Sequence, residues 1–192
     1  TDDMTYRAHR TIEEATAVVG YSRYIQLIAD LVEGKKVLDT GMTQEIDRCR
    51  AALEEAEAGE NVVVISSGDA GIYGMAGLVL ELLMKMDEEQ RPEFGGVIPG
   101  VSAMSAAAGL LGAPIMHDFA VISLSDLLTP WELIQERAEL AAKGDFVTVL
   151  YNPRSHKRVG QIQAVQEIFL RERAPETPVG IVTSASREGE NV

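Results

Sequence analysis

The chain has 192 residues, 46% of them hydrophobic, and its 17 basic and 30 acidic residues give a formal net charge of −13. This acidic balance argues against nucleic acid or an anionic membrane as partner, and no apolar run approaches the roughly 20 residues that span a bilayer. The single cysteine, Cys49, excludes a disulfide framework and a thiolate metal cluster. Together these features predict a soluble globular protein of the cytoplasm.

The first half of the chain alternates helical and strand-like stretches. Apolar residues at helical spacing indicate helices, and short β-branched runs indicate strands. The predicted helices are "RAHRTIEEA", "SRYIQLIADLV", "QEIDRCRAALEEAEAG" and "VSAMSAAAGLLG", and the predicted strands are Val18 with Val19, "KKVLDT", residues 62–65 and "GGVIPG".

A polar stretch, "SSGDAG", interrupts the apolar sequence after residues 62–65. From Gly71 onward apolar residues recur at every third or fourth position, which predicts that a helix starts there. Residues 66–71 are therefore predicted to form the turn at the carboxyl end of a parallel strand, where ligands bind in open α/β sheets. The alternative is an ordinary turn, in which Gly68 and Gly71 allow the bend and Asp69 caps the helix.

The second half continues the alternation. Its predicted strands are "HDFAVISLS", "DFVTVLYNP" and "TPVGIVTSAS", and its predicted helices are "PWELIQERAELAAKG" and "HKRVGQIQAVQEIFLRE". This order predicts an α/β architecture with mainly parallel strands. The turn at Pro114 separates an amino-terminal α/β domain, residues 1–115, from a carboxyl-terminal one, residues 116–192. Because the chain opens on a helix and ends just after a strand, we expect terminal strands of both domains to be missing from this sequence.

Two further strand ends carry small or polar residues. Ser102 and Ala103 follow the Pro-Gly turn of "VIPGVSA", where small side chains let a ligand approach the backbone. Tyr151 and Asn152 end the strand in "DFVTVLYNP", and the asparagine amide can both donate and accept hydrogen bonds. Close helix packing through alanines and a capping asparagine are the ordinary alternatives.

Several common chemistries lack their sequence signatures. His9, His117 and His156 are far apart in sequence and have no acid or thiol at ligand spacing, so no protein-bound metal is predicted. The sequence also lacks the phosphate-binding GxxxxGK[ST] and GxGxxG motifs and the G-x-S-x-G elbow. These absences argue against nucleoside triphosphate and serine hydrolase chemistry.

Four stretches, "SSGDAGIYGMA", "IPGVSA", "HDFAVISLSDLLTPWE" and "LYNPRS", together resemble the tetrapyrrole methylases of cobalamin biosynthesis. The first and third are most similar to the precorrin-3B C17-methyltransferase group, including its cobalt-factor III branch. The resemblance implies a class III S-adenosylmethionine-dependent methyltransferase: two α/β domains with the active site in the cleft between them, usually as a homodimer. It also implies a corrinoid precursor, precorrin-3B or cobalt-factor III, that is methylated at C17 with ring contraction, which leaves S-adenosylhomocysteine.

The same resemblance implies a set of site residues. The cofactor-binding set is Gly68, Asp69, Ile72, Tyr73, Ser102, Ala103, Tyr151 and Asn152. The family's glycine-proline-glycine loop, which normally precedes the part that resembles "TDDMTYRAHRTIEEA", is absent from this sequence. A sulfonium methyl group is already a strong electrophile, so its transfer needs positioning and exclusion of water more than a strong catalytic group.

Ring contraction additionally needs proton transfers, which carboxylate, imidazole and hydroxyl groups can supply. The candidate catalytic residues are Asp69, His117, Asp118, Ser125 and Asp126. The last four flank the first strand of the second domain. Capping of turns and helices is the ordinary alternative for Asp118 and Asp126.

The densest basic stretch holds Arg154, His156, Lys157 and Arg158. Corrinoid precursors carry several carboxylates, which a chain of net charge −13 repels unless positive groups are concentrated near the site. Arg154 and Lys157 are therefore candidate substrate-binding residues. Arg154 is the better candidate because a guanidinium can hold a carboxylate through two parallel hydrogen bonds. The alternative is a solvated helix start.

Two other functions stay open on the sequence. One is a non-catalytic tetrapyrrole-binding protein that kept the fold without the glycine-proline-glycine loop. The other is a methylase of the same superfamily with a different acceptor, against which the resemblance of "SLSDLLTPW" to the C17 group argues.

Overall fold

The computed structural model describes residues 3–41, 44–155 and 158–192. The chain divides into two compact units, Thr1–Ala103 and Met104–Val192. In both units, parallel strands combine with helices, so the predicted α/β class with mainly parallel strands is confirmed. The domain boundary between residues 115 and 116 stays a prediction. Among the described residues, no helix is long and apolar enough to cross a membrane.

The strands described in the first unit form a three-stranded parallel sheet. Its central strand β1 (Ala17–Tyr21) pairs with β2 (Lys36–Thr40) on one side and with β3 (Val62–Val64) on the other. Val18 and Val19 of β1 are fully buried, as expected for the middle strand of a covered parallel sheet. The carboxyl ends of the three strands lie at one edge of this sheet.

Helices connect these strands and cover the sheet. Those described in the first unit are α1 (Tyr6–Glu14), α2 (Ser22–Gln26), α3 (Ala29–Val32), α4 (Glu45–Glu57) and α5 (Ala76–Leu83). The hydroxyl of Thr5 accepts the Ala8 N–H at 3.2 Å and so caps α1. The single helix predicted for "SRYIQLIADLV" is wrong, because the backbone of Ile28 leaves helical geometry while its side chain is buried in the core.

The strands described in the second unit form a two-stranded parallel sheet of β4 (Phe119–Ser123) and β5 (Val147–Tyr151). The accompanying helices are α6 (Ala103–Leu110), α7 (Trp131–Lys143) and α8 (Gln161–Leu170), with a 3₁₀ turn at Pro114–Met116. Ile122 and Leu124 pack with Ile134 of α7 and Val165 of α8, so this core depends on the apolar faces of both helices.

Three predicted elements differ in the structure. The helix expected from Gly71 begins at Ala76, and the predicted strands "GGVIPG" and "TPVGIVTSAS" are not strands. A strand needs a hydrogen-bonded neighbour as well as an apolar run. Residues 95–100 and 178–182 pair with no strand in the described ranges, and Val179 and Ile181 are 82% and 76% exposed.

Candidate functional site at the carboxyl ends of the strands

The loop after β3, residues 66–75, is closed by its own hydrogen bonds. The Ser66 hydroxyl accepts the Met75 N–H at 3.2 Å, and the Ala70 carbonyl accepts the Ala76 N–H at 3.0 Å. A side chain at Gly74 would come within 2.5 Å of the Ala70 carbonyl oxygen. The polar break in the sequence is therefore a folded loop that extends four residues beyond the predicted turn.

Gly68 gives this loop its bend. Its φ of +74° lies in the left-handed region, which costs a residue with a side chain roughly 1–2 kcal/mol. A Cβ atom at this position would be 3.5 Å from both the Val101 carbonyl oxygen and the Ala103 nitrogen, which is ordinary contact distance. Gly68 is therefore needed for its backbone conformation, and it lies against the segment that opens α6.

Asp69 joins two loops of the first unit. Its Oδ1 accepts the Gly71 N–H at 2.7 Å, and its Oδ2 accepts the Gly100 N–H at 3.0 Å. Hydrogen bonds to a carboxylate are among the stronger ones in proteins. The structure thus gives Asp69 a bridging role, and its predicted catalytic and cofactor-binding roles stay predictions.

Gly100 makes the closest backbone approach at this site. A Cβ atom on Gly100 would be 2.2 Å from the Gly68 carbonyl oxygen, a distance that no side chain can occupy. The Pro-Gly turn of "IPGVSA" therefore packs directly against the backbone of the loop after β3. Residues 66–75 and 99–103 together are called the first strand-end region below.

The remaining predicted cofactor residues of the first unit lie in this same region. Ile72 is 36% exposed and Tyr73 is 54% exposed, whereas Ser102 is buried. Tyr73 has a φ of +51°, which is unusual for an aromatic residue and is a kind of strain often found at functional loops. The region therefore places an exposed aromatic side chain, a partly exposed apolar side chain and glycine-rich backbone at the ligand-binding edge of a parallel sheet.

In the second unit, Tyr151 is the last residue of β5 and Asn152 directly follows it. The Tyr151 hydroxyl accepts the Met104 N–H at 2.9 Å, in the first turn of α6. The Asn152 side chain donates to the Ser123 hydroxyl at 2.9 Å, and the Ser125 N–H donates to that hydroxyl at 3.2 Å. The ends of β4 and β5 are therefore tied together by polar side chains.

The structure separates the catalytic candidates around β4 into two pairs. His117 and Asp118 precede β4, whereas Ser125 and Asp126 follow it. A strand of five residues spans about 16 Å, so the two pairs lie at opposite ends of the sheet and cannot act on the same atom. Only Ser125 and Asp126 share the carboxyl edge with Tyr151.

Asp126 contacts two residues that follow β5. Its Oδ2 accepts the Gln161 side-chain N–H at 3.2 Å, and its Oδ1 lies 3.7 Å from Nη1 of Arg158. Arg158 is buried, and its Nε has no hydrogen-bond partner among the described residues. Residues 123–128 and 151–161, without positions 156 and 157, are called the second strand-end region below.

Of the basic cluster, Arg154 is exposed on the loop after β5. Arg158 belongs to the interior of the unit, as described above. His156 and Lys157 lie outside the described residues. Within the part of the cluster that the structure describes, Arg154 is therefore the residue that can reach a ligand from solvent.

Sequence reasoning missed Gly100 of the first strand-end region and Arg48, which contacts that region. Gly100 lies inside "IPGVSA", but its contact with Gly68 depends on tertiary packing that no local pattern reports. Arg48 of α4 is buried and contacts Met75 through Nη1 and the sulfur at 3.8 Å. A helical basic residue is usually exposed, so its sequence context gave no signal.

The part of the chain that the structure describes contains neither a metal-binding cluster nor a reactive thiol. In residues 3–41, 44–155 and 158–192, no three histidine, cysteine, aspartate or glutamate side chains are grouped to hold a metal ion. Burial raises the pKa of the Cys49 thiol to about 11, so it stays protonated and unreactive at neutral pH.

Two regions with polar side chains at the carboxyl ends of parallel strands are typical of a ligand-binding α/β protein. Comparison with known families identifies the class to which this chain belongs. The chain matches the tetrapyrrole (corrin/porphyrin) methylases over residues 1–192 and belongs to that family. This finding confirms the family prediction.

Individual relatives are more specific. The chain is 50% identical to a cobalt-factor III methyltransferase of Priestia megaterium over 100% of its length and 36% of that protein. It is 51% identical to a probable cobalt-factor III C(17)-methyltransferase of Salmonella typhimurium over 97% of its length and 76% of that protein. The predicted similarity to the C17 group is thereby confirmed.

A solved structure supports the same assignment. The crystal structure of the methyltransferase CobJ matches with a TM-score of 0.89 and 39% identity, covering 99% of this chain and 79% of that one. The chain therefore spans from about one third to about four fifths of the proteins named above.

Proposed function

We propose that this protein is an S-adenosylmethionine-dependent methyltransferase of cobalamin biosynthesis. The proposed acceptor is C17 of precorrin-3B or cobalt-factor III, and methylation is accompanied by ring contraction. The names of the two relatives support cobalt-factor III as acceptor, and the second name supports C17 as the methylated position. The family resemblance supports ring contraction. The observation that carries the proposal is the contact of Asp69 and Gly68 with Gly100, because it joins "SSGDAGIYGMA" and "IPGVSA", the two stretches of the first unit to which the family resemblance assigns cofactor-binding residues.

The first strand-end region fits this cofactor. Adenosine needs apolar surface and a few hydrogen-bonding groups, and a methionine chain needs close backbone approach. Exposed Ile72 and Tyr73 supply the apolar surface, and the left-handed backbone of Gly68 shapes the loop against which the methionine chain is proposed to lie. The proposed cofactor-binding residues of this region are Gly68, Asp69, Ile72, Tyr73, Ser102 and Ala103.

Methyl transfer from S-adenosylmethionine does not require a strongly catalytic side chain. When bound, S-adenosylmethionine supplies a methyl group on a sulfonium centre, which is already electrophilic. The protein's task is to orient the two reactants and to exclude water. Orientation alone can lower the activation free energy by at most roughly 7–11 kcal/mol. A loop fixed through backbone contacts, as at Gly100, suits that task.

Residues of the second strand-end region complete the proposal. We assign Tyr151 and Asn152 to cofactor binding on the family resemblance, and Arg154 to the carboxylates of the tetrapyrrole. Ser125 and Asp126 are the proposed proton-transfer pair because they share the carboxyl edge with Tyr151. This assignment leaves His117 and Asp118, at the other end of β4, with no proposed part in proton transfer.

A binding experiment and a turnover experiment test the proposal. Calorimetry on the full-length protein should detect S-adenosylhomocysteine binding. Incubation with S-adenosylmethionine and cobalt-factor III or precorrin-3B should add the mass of one methyl group and change the absorption spectrum. Binding of both ligands without methyl transfer would favour a non-catalytic tetrapyrrole-binding protein. Methyl transfer only to a different acceptor would favour another methylase of the same superfamily.

We also propose that the protein acts as a homodimer in the cytoplasm. The family resemblance supports the dimer, and the single cysteine supports a reducing compartment. Light scattering on the full-length protein should give twice the mass of one chain. A monomer that retains full activity would contradict the dimer.

A further inference from the structure

Arg48 is a buried charge in the first unit. It lies on α4 and is 4% exposed. Burying a charged group is costly unless it is paired or hydrogen-bonded. Among the described residues, none of its contacts is an ion pair with a carboxylate, so its hydrogen bonds must offset the cost of burial.

The partners of Arg48 converge on the carboxyl ends of the strands. Its Nε donates to the Thr40 hydroxyl at 2.8 Å, and Nη2 donates to the Gly41 carbonyl at 2.8 Å. Its Cζ lies 6.0 Å from the centre of the Tyr21 ring. Tyr21 and Thr40 are the last residues of β1 and β2, so one guanidinium spans both strand ends.

The remaining contact reaches the proposed cofactor loop. Nη1 lies 3.8 Å from the sulfur of Met75, and Met75 in turn donates its N–H to Ser66. Met75 closes the loop that begins at Ser66. Arg48 therefore connects the ends of β1 and β2 to the point at which this loop closes.

We propose that Arg48 is a positioning residue for the cofactor loop, residues 66–75. The inference rests on the proposed function in that the ligand of this loop is S-adenosylmethionine. A planar guanidinium with donors in fixed directions can hold a hydroxyl, a carbonyl and a thioether at once. A lysine at this position keeps the charge, but its three N–H donors share one nitrogen and cannot reach acceptors that are held by the three separate nitrogens of Arg48.

The test compares Arg48→Lys with Arg50→Lys in the full-length protein. Arg50 is a matched control because it lies on the same helix, its side chain is 63% exposed, and its nearest carboxylate, Asp47, is 3.9 Å away. Arg48→Lys should weaken S-adenosylhomocysteine binding at least tenfold and should speed hydrogen exchange of residues 66–75. Exchange of buried Val18 and Val19 in β1 should not change. Arg50→Lys should alter none of these.

Steady-state kinetics add a second readout. Arg48→Lys should raise KM for S-adenosylmethionine and leave KM for the tetrapyrrole unchanged, because the loop is proposed to hold the cofactor. Met75→Leu, which removes the sulfur acceptor at similar volume, should shift the same quantities in the same direction by about two- to threefold, in line with a weak acceptor.

Two results would overturn the proposal. One is a folded Arg48→Lys protein with unchanged loop exchange and unchanged cofactor affinity. The other is faster exchange throughout the unit, β1 included, which would make Arg48 a general stabilising residue. If the wild-type protein fails to bind S-adenosylhomocysteine, the proposed function fails, while the exchange data on residues 66–75 still decide the role of Arg48.

Discussion

The two strand-end regions are held together by different parts of the chain. In the first region the contacts involve backbone: Gly100 abuts the Gly68 carbonyl, and Asp69 accepts the Gly100 N–H. In the second region the Leu124 N–H donates to the Tyr151 carbonyl, and side-chain hydrogen bonds, such as Asn152 to Ser123, join the strand ends as well. Both regions lie at carboxyl ends of parallel strands and so have the same topology. They differ in the kinds of contact that hold them together.

This difference predicts a difference in tolerance to substitution. A backbone-to-backbone contact leaves no room for a side chain, and the loop must shift as a whole if one is added. A side-chain hydrogen bond can be deleted at a net cost of about 1 kcal/mol. Substitution of a closely packed glycine in the first region should therefore cause a large loss of binding and stability. Substitution of one side chain in the second region should cause only a small loss of stability.

Gly100→Ala should have the largest effect. The added Cβ would meet the Gly68 carbonyl oxygen at 2.2 Å, and such overpacking costs about 1–3 kcal/mol. We expect loss of S-adenosylhomocysteine binding and a lower free energy of unfolding, measured by calorimetry and urea titration.

Gly95→Ala is the matched control for Gly100→Ala. Apart from its chain neighbours, no atom of the described residues lies within 4 Å of the position that its Cβ would take, so the change in unfolding free energy should stay within about 0.5 kcal/mol. If both variants bind the cofactor product like wild type, the close backbone approach does not matter to the site.

Gly68→Val should abolish cofactor binding while leaving most of the fold intact. The φ of +74° at Gly68 is strained for any side chain, and a β-branched residue fits it worst. Gly68→Asn should bind better than Gly68→Val, because asparagine tolerates the left-handed region. Calorimetry with S-adenosylhomocysteine separates the variants. Unchanged affinity in Gly68→Val would show that Gly68 does not line the pocket.

The sequence predicts the features of these regions that depend on neighbouring residues, but not those that depend on residues distant in the chain. The apolar run before Ser66 and the polar residues after it predict a strand and a turn, and both are present. The helix start was predicted at Gly71 because Ile72 and Met75 have helical spacing. The actual start at Ala76 follows from the closure of the loop by Ser66, a hydrogen bond that periodicity does not register.

Longer-range contacts are harder to predict. Asp69 and Gly100 are 31 residues apart in the chain, and no local pattern states that they meet. The apolar residues of "GGVIPG" predicted a strand, but pairing depends on a neighbouring strand. The buried position of Arg48 could not be predicted from the sequence for the same reason, because its partners come from the ends of separate strands.

Asn152 offers the clearest test of the second region. It has a φ of +51° and donates to the Ser123 hydroxyl. Asn152→Gly keeps the backbone conformation and removes the hydrogen bond, which should cost about 0.5–1.5 kcal/mol. Asn152→Ala adds left-handed strain and should cost about 1 kcal/mol more.

Urea titration of these variants, with Ser123→Ala and the double variant Asn152→Gly/Ser123→Ala, gives the coupling between the two side chains. We expect the double variant to be less destabilised than the sum of the single variants. Strict additivity, or a loss in Asn152→Gly as large as that of Gly100→Ala, would remove the proposed difference between the regions.

Arg154→Ala should have the smallest effect and should act on the tetrapyrrole only. Arg154 is exposed on the loop after β5, in a chain whose net charge of −13 repels a polycarboxylate. A solvated guanidinium contributes little by itself, so KM for the tetrapyrrole should rise by about threefold to tenfold, and the rise should shrink at high salt. Arg171→Ala is the control, because Arg171 directly follows α8 and its side chain is 65% exposed. Wild-type tetrapyrrole kinetics, or a loss of S-adenosylhomocysteine affinity, would rule out Arg154 as a substrate contact.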